Sequence, residues 1–116
     1  MLTLETLRLL LAGPFAATAW DRVTGTHLHV RIGNAPPMIR RDEALAAIEQ
    51  LFARIEGMGH GFWYGCADRE ALFAECDLRF HDAAGRGQTI PCAVVARLAG
   101  GALIDLRLHL DPAPIP

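Results

Sequence analysis

Apolar and polar residues alternate with a period of two along much of the second half of the chain. The stretch ALIDLRLHL, residues 102–110, places leucines between Asp105, Arg107 and His109, and residues 71–81 and 88–98 alternate in the same way. Successive side chains of a strand point to opposite faces of a sheet, so each stretch predicts a half-buried strand. The aromatic stretch 60–67 predicts a fourth strand. Short turn-forming connections join the four, which predicts an antiparallel meander.

The first half of the chain has mainly helical periodicity. A leucine-rich segment at 2–12 ends at Gly13-Pro14, and apolar residues spaced by four predict a second helix at 15–23. Residues 26–32 alternate as a strand, and residues 41–56 carry one apolar stripe of a third helix. Helices followed by strands predict an α+β domain of residues 1–116, with helices packed on one face of a curved, mostly antiparallel sheet.

Three of these strands, residues 71–81, 88–98 and 102–110, have one apolar face and one face that carries the charged residues. Turning the apolar faces toward the helices removes the most apolar area from water, at about 25 cal/mol per Å². The opposite orientation would bury Glu75, Asp77 and Arg107, at several kcal/mol for each imperfectly paired charge. We therefore expect the apolar faces inside, and the charged faces, with Arg107 and His109, outside.

Composition excludes several classes of function. A net charge of −2, with 11 basic and 13 acidic residues, argues against a nucleic-acid binder. No apolar segment approaches the ~20 residues of a membrane span, so we expect a cytoplasmic protein without membrane contact.

The three cysteines, Cys66, Cys76 and Cys92, contain no CxxC pair, and we expect all three to be small buried side chains. His27 and His29 share a strand face but have no third ligand, so neither a metal nor a cofactor is expected.

Several segments of the chain form a recognisable combination: AGPFAATAWDRVTGTHLHVRIG, RDEALAAIEQLF, the turn DAAGRG, Ile90-Pro91, and Arg97, Gly101, Leu103, Arg107, His109 and Asp111 in the last hairpin. Together they resemble the SnoaL-like polyketide cyclases and ketosteroid isomerase-type domains of the nuclear transport factor 2-like superfamily. Pro14 and Arg41 depart from the family pattern, in which Asp and Gly are usual. The resemblance implies a cone-shaped α+β barrel closed by about three helices, often dimeric through the outer sheet face.

The resemblance does not carry over the best-known catalytic groups. Ile32 and Val94 fall where ketosteroid isomerase-type members have their two aspartates. Cys76, Leu78 and Leu108 fall at the positions of the Arg and two Asp of limonene epoxide hydrolase-type members. The hydrocarbon side chains of Ile32 and Val94 cannot transfer protons, so the isomerase mechanism is disfavoured. In the hydrolase mechanism all three roles are vacant.

Three residues keep a catalytic hypothesis. Asp111 matches the acid/base aspartate of SnoaL-like cyclases, as the resemblance implies. The alternative is that Asp111 is a solvated residue that begins the turn before Pro112. His60 and Tyr64 would orient a ligand near the expected pocket mouth, and a capping or packed histidine is the alternative for His60.

We also expect an apolar pocket inside the cone, or else a packed core. Its lining would comprise Trp20, Phe52, Phe62, Trp63, Leu78, Phe80, Cys92, Val94, Leu106, Leu108 and Leu110.

Three functions remain open from the sequence. The first is a domain that binds an apolar or aromatic small molecule and forms a homodimer through the outer sheet face. The second is a cofactor-independent cyclase, isomerase or hydratase that uses Asp111 as general acid/base. The third is a non-catalytic dimerisation module.

Overall fold

The structure, a computed structural model, describes all 116 residues as three helices and five strands. In chain order they are α1 (Leu4–Ala12), α2 (Ala17–Val23), β1 (Thr24–Ile32), α3 (Arg41–Phe52), β2 (Gly57–Ala67), β3 (Ala71–His81), β4 (Gly87–Ala99) and β5 (Ala102–His109). The α+β class and the order of elements predicted from the sequence are confirmed. No helix is long and apolar enough to cross a membrane.

The third helix is four residues shorter than predicted, and the glycine-rich segment that follows it belongs to the sheet. The helix ends at Phe52, and the N–H of Glu56 already donates to the carbonyl of Arg79 on β3. Gly57 and Met58 pair with Arg79 and Leu78 in register. Gly57 cannot carry a side chain, because a Cβ there would lie 2.1 Å from the carbonyl oxygen of Ala12. The segment expected to end the helix is therefore the first part of β2.

The five strands form one unclosed sheet in the order β1-β5-β4-β3-β2. The strands β2 to β5 form the predicted antiparallel meander, and β1 pairs with β5 in parallel at the far edge. The helix α3 packs on β1 and α1 packs on β2, so the helices cover the concave side of the curled sheet.

The inner faces of the strands are apolar, as predicted. One cluster of 25 buried hydrophobic residues fills the space between sheet and helices, and no polar or charged residue type is fully buried. Leu106 and Leu108 are at most 1% exposed, Leu110 is half-buried, and Arg107 and His109 are exposed on the outer face. Cys76 and Cys92 are buried, but the expectation for Cys66 was wrong. Cys66 lies exposed, because its position in β2 alternates to the outer face.

A bulge in β2 is held by one carboxylate of the neighbouring strand. The β2–β3 register shifts between Met58 and Trp63, and there the Asp77 carboxylate accepts hydrogen bonds from the N–H groups of Gly61 and Phe62, at 3.0–3.2 Å. The Arg79 Nε lies 3.7 Å from the same carboxylate, whose side chain is only 12% exposed. Desolvation alone would raise the pKa of Asp77, but the two backbone donors and Arg79 outweigh it and hold the pKa below its ordinary 3.8.

The ionised carboxylate of Asp77 should therefore stabilise the fold at neutral pH. We expect Asp77→Asn to lower the free energy of unfolding at pH 7 by about 1.5–3 kcal/mol, because hydrogen bonds to a charged group are lost. A folded-state pKa below 3.8 means that this stabilisation is present above pH 3.8 and disappears as pH falls through the folded-state value. Urea unfolding of the wild type and of Asp77→Asn from pH 7 to pH 2 should show that the difference between their free energies of unfolding narrows on acidification. Glu75→Gln on the same strand is the control, and a difference that stays constant with pH would exclude this role.

Candidate functional site

The largest concave space lies outside the cone, in a groove between α2 and α3. It encloses about 750 Å³, within the range typical of small-molecule sites. Its lining combines an apolar floor with a polar rim: Phe15, Ala17, Thr18 and Asp21 from the α2 segment, and Arg41, Asp42, Leu45, Ala46 and Glu49 from α3.

The polar end of the groove is closed by Arg41, which has a structural role. Its Nη2 lies 2.6 Å from Oδ1 of Asp21 and 2.8 Å from Oγ1 of Thr24, and its Nε donates to the Gly25 carbonyl at 3.0 Å. These bonds fasten the start of α3 to the junction between α2 and β1. Arg41 therefore fixes the spacing of the two helices that form the groove.

An aromatic pair separates the groove from the interior of the cone. The ring of Phe15, which lines the groove, stacks on the Trp20 indole with centroids 6.3 Å apart, and the Phe52 ring meets the same indole edge-to-face at 6.3 Å. Trp20 is completely buried, and its Nε1–H has no hydrogen-bond partner. An unpaired buried donor costs about 1–3 kcal/mol. Trp20 is the one residue whose buried side-chain donor lacks a hydrogen-bond partner.

Most residues expected to line an apolar pocket belong to the packed core. Eight of the eleven are at most 8% exposed: Trp20, Phe52, Leu78, Phe80, Cys92, Val94, Leu106 and Leu108. Leu110 and Trp63 are half-buried, and Arg8 lies 5.7 Å from the centre of the Trp63 ring. Phe62 is 50% exposed. That a ligand contacts these side chains stays a prediction, and of the eleven residues it is Trp20 that stacks on the Phe15 ring of the groove lining.

The three residues with a catalytic hypothesis lie apart from the groove lining. Asp111 is exposed, and its Oδ1 accepts the N–H of Ala113, which is the turn geometry considered as the alternative. His60 Nε2 lies 2.8 Å from the carbonyl oxygen of Ala12, so the ring caps the last turn of α1. Tyr64 is 71% exposed on the outer face. Their catalytic roles stay predictions. In the structure Asp111 shapes a turn, His60 caps a helix, and Tyr64 lies on the surface.

Sequence reasoning missed the groove. The helical periodicity assigns Phe15 to the apolar stripe of one helix and Leu45 to that of another, and it does not show how far apart the two helices lie. No three His, Cys, Asp or Glu side chains come together as metal ligands.

Comparison with known proteins identifies the fold. No protein-family model matches the sequence, and no curated protein matches it either. Among solved structures, a protein of Jannaschia sp. named as a SnoaL-like polyketide cyclase has a TM-score of 0.76 at 15% identity, over 94% of this chain and 85% of that one. A protein of Pseudomonas putida named as a polyketide cyclase has a TM-score of 0.79 at 8% identity, over 98% and 96% of the two chains.

A third structure of this fold holds a small molecule. A protein of Catenulispora acidiphila with a ketosteroid isomerase-like fold, in complex with trimethylamine, has a TM-score of 0.73 at 12% identity, over 96% of this chain and 86% of that one. At these identities the likeness establishes the fold, the nuclear transport factor 2-like cone of the SnoaL-like and ketosteroid isomerase-like proteins. Function has to be argued from the site.

Proposed function

We propose that this chain is a small-molecule-binding domain, and that an apolar or aromatic ligand binds in the groove between α2 and α3. The observation that carries the proposal is the buried Trp20 indole N–H without an acceptor, one aromatic ring away from a groove of about 750 Å³. That a protein of the same fold binds trimethylamine supports small-molecule binding in general.

The chemistry of the groove selects the ligand class. Phe15 and Leu45 offer apolar and aromatic contact, whereas the carboxylates of Asp42 and Glu49 stand at the rim in solvent. A ligand whose ring takes the place of the Phe15 ring against Trp20 would keep the stacking and bring an oxygen to the indole N–H. The ligand is therefore an apolar or aromatic molecule with an uncharged acceptor such as a carbonyl oxygen.

Acetophenone tests this proposal against ethylbenzene, which has the same size without the carbonyl. In ¹H–¹⁵N spectra the chain has two indole signals, from Trp20 and Trp63, which Trp63→Phe assigns. We expect acetophenone to shift the Trp20 indole proton downfield saturably, since a hydrogen bond forms, and ethylbenzene to perturb only groove residues.

Ala46→Phe, which fills the groove, should abolish both the Trp20 indole shift caused by acetophenone and the perturbation of groove residues caused by ethylbenzene. Ala83→Phe, on an exposed turn, is the matched control and should leave them intact. Shifts of equal size in wild type and Ala46→Phe, or no saturable shift of any groove residue, would refute the proposal.

We also propose that a second copy of the chain covers the part of the outer sheet face formed by β2, β3 and β4. Three of the six most exposed large hydrophobic side chains, Phe62, Tyr64 and Phe73, lie on this face. Tyr64, Phe73, Ala93 and Val95 surround a shallow hollow of about 280 Å³. Apolar groups concentrated on one face indicate a protein contact more than scattered ones do.

Sedimentation velocity checks this assembly. We expect a homodimer for the wild type, and a monomer for the double variant Tyr64→Ser/Phe73→Ser, because the apolar centre of the contact is removed. Leu9→Ser is the control, since Leu9 is 70% exposed on α1 and is not part of the sheet. A monomeric wild type, or a dimer that survives the double substitution, would contradict the proposed interface.

A further inference from the structure

Two arginines stand side by side where β1 pairs with β5. The parallel register places Arg31 directly beside Arg107, and both side chains are exposed on the outer face. Like charges in directly paired positions destabilise a sheet. Arg107 donates from Nε to Oδ1 of Asp105 at 3.2 Å, but Arg31 has neither an ion pair nor a side-chain hydrogen bond. The repulsion between the two is thus only partly compensated.

A hollow of about 200 Å³ opens beside these arginines, and the turn after β1 forms its wall. Its lining consists of Arg31, Gly33, Asn34, Arg107, Leu108 and His109. Gly33 has a φ of 58°, and a Cβ there would lie 3.0 Å from the carbonyl oxygen of Leu110 and from the Pro112 ring. Its N–H donates to the carbonyl of Leu108 at 2.9 Å. The glycine therefore lets the turn approach the end of β5 closely and holds Asn34 at the hollow.

The polar side chains of this lining are suited to donate hydrogen bonds. Two guanidinium groups, an amide and an imidazole meet here, in a chain whose net charge is −2. The nearby carboxylates are engaged, since Asp105 accepts from Arg107 and Asp111 accepts from the Ala113 N–H. The space is large enough for one carboxylate or phosphate group.

We propose that this hollow binds the oxyanion group of a small molecule, a carboxylate or a phosphate. Arg31 and Arg107 hold its oxygens by paired N–H donors, the geometry for which guanidinium groups are suited, and Asn34 and His109 complete the contacts. The anion also removes the repulsion between the two arginines. The site lies on the opposite side of the sheet from the α2–α3 groove, so it does not depend on the function proposed for that groove.

Thermal unfolding at constant ionic strength tests the site with three sodium salts, phosphate, acetate and chloride. We expect phosphate or acetate to raise Tm saturably above the chloride reference, because the anion binds only the folded chain. A response to phosphate alone identifies a phosphate-bearing ligand, and a response to acetate alone identifies a carboxylate. Equal responses identify a general oxyanion site.

Substitutions locate the effect. Arg31→Gln should lower the affinity for the anion at least tenfold. Arg31→Lys should give an intermediate affinity, because it keeps the charge but loses the paired donors. Arg31→Gln should keep or raise Tm in chloride, since it relieves the repulsion, and this shows that the variant folds. Arg69→Gln, on the exposed β2–β3 turn, is the matched control and should behave as wild type.

Two results would overturn the proposal. One is a Tm that responds to neither anion, or that responds equally in wild type and Arg31→Gln. The other is a loss of dimer in Arg31→Gln without any anion effect, which would show that a partner copy uses the two arginines.

Discussion

The fold depends on burial of the apolar faces of β3, β4 and β5 against the helices. Alternate side chains of these strands, among them Leu78, Val94 and Leu106, are almost completely removed from water, and the buried cluster contains hydrophobic residue types alone. Because the side-chain period of a strand is two, the same choice puts every charged residue of these strands on the outer face. Packing and surface chemistry are thus two results of one pattern.

Polar contacts fix the details that burial leaves undetermined. Asp77 holds the bulge at which β2 changes its register against β3, and Arg41 fastens α3 to the junction of α2 and β1. Both act through hydrogen bonds to backbone groups at irregular points of the chain. Arg41 and Phe15 both line the groove, and the Phe15 ring stacks on Trp20. The hydrogen bonds of Arg41 therefore help to shape the proposed binding site.

Much of the fold follows from the sequence, since alternation in residues 71–81 predicts both the strand and the side it buries. The parallel pairing of β1 with β5 does not follow, because it depends on which sheet edge the chain reaches after distant elements have folded. The sequence also does not predict which aromatic side chains of β2 face the core and which face outward. The bulge and glycines of β2 obscure the alternation that places Trp63 toward the core and Tyr64 outside. The groove depends on the distance between two helices, which no local pattern encodes.

The most direct test of this account compares two truncations on β3. Leu78 is fully buried, whereas Glu75 is exposed on the opposite face without an ion pair. Urea unfolding should show that Leu78→Ala lowers the free energy of unfolding by about 2–5 kcal/mol, because it leaves a cavity in the core. Glu75→Ala should stay within about 0.5 kcal/mol of wild type. Equal losses, or a greater loss for Glu75→Ala, would show that the apolar faces do not hold the fold together.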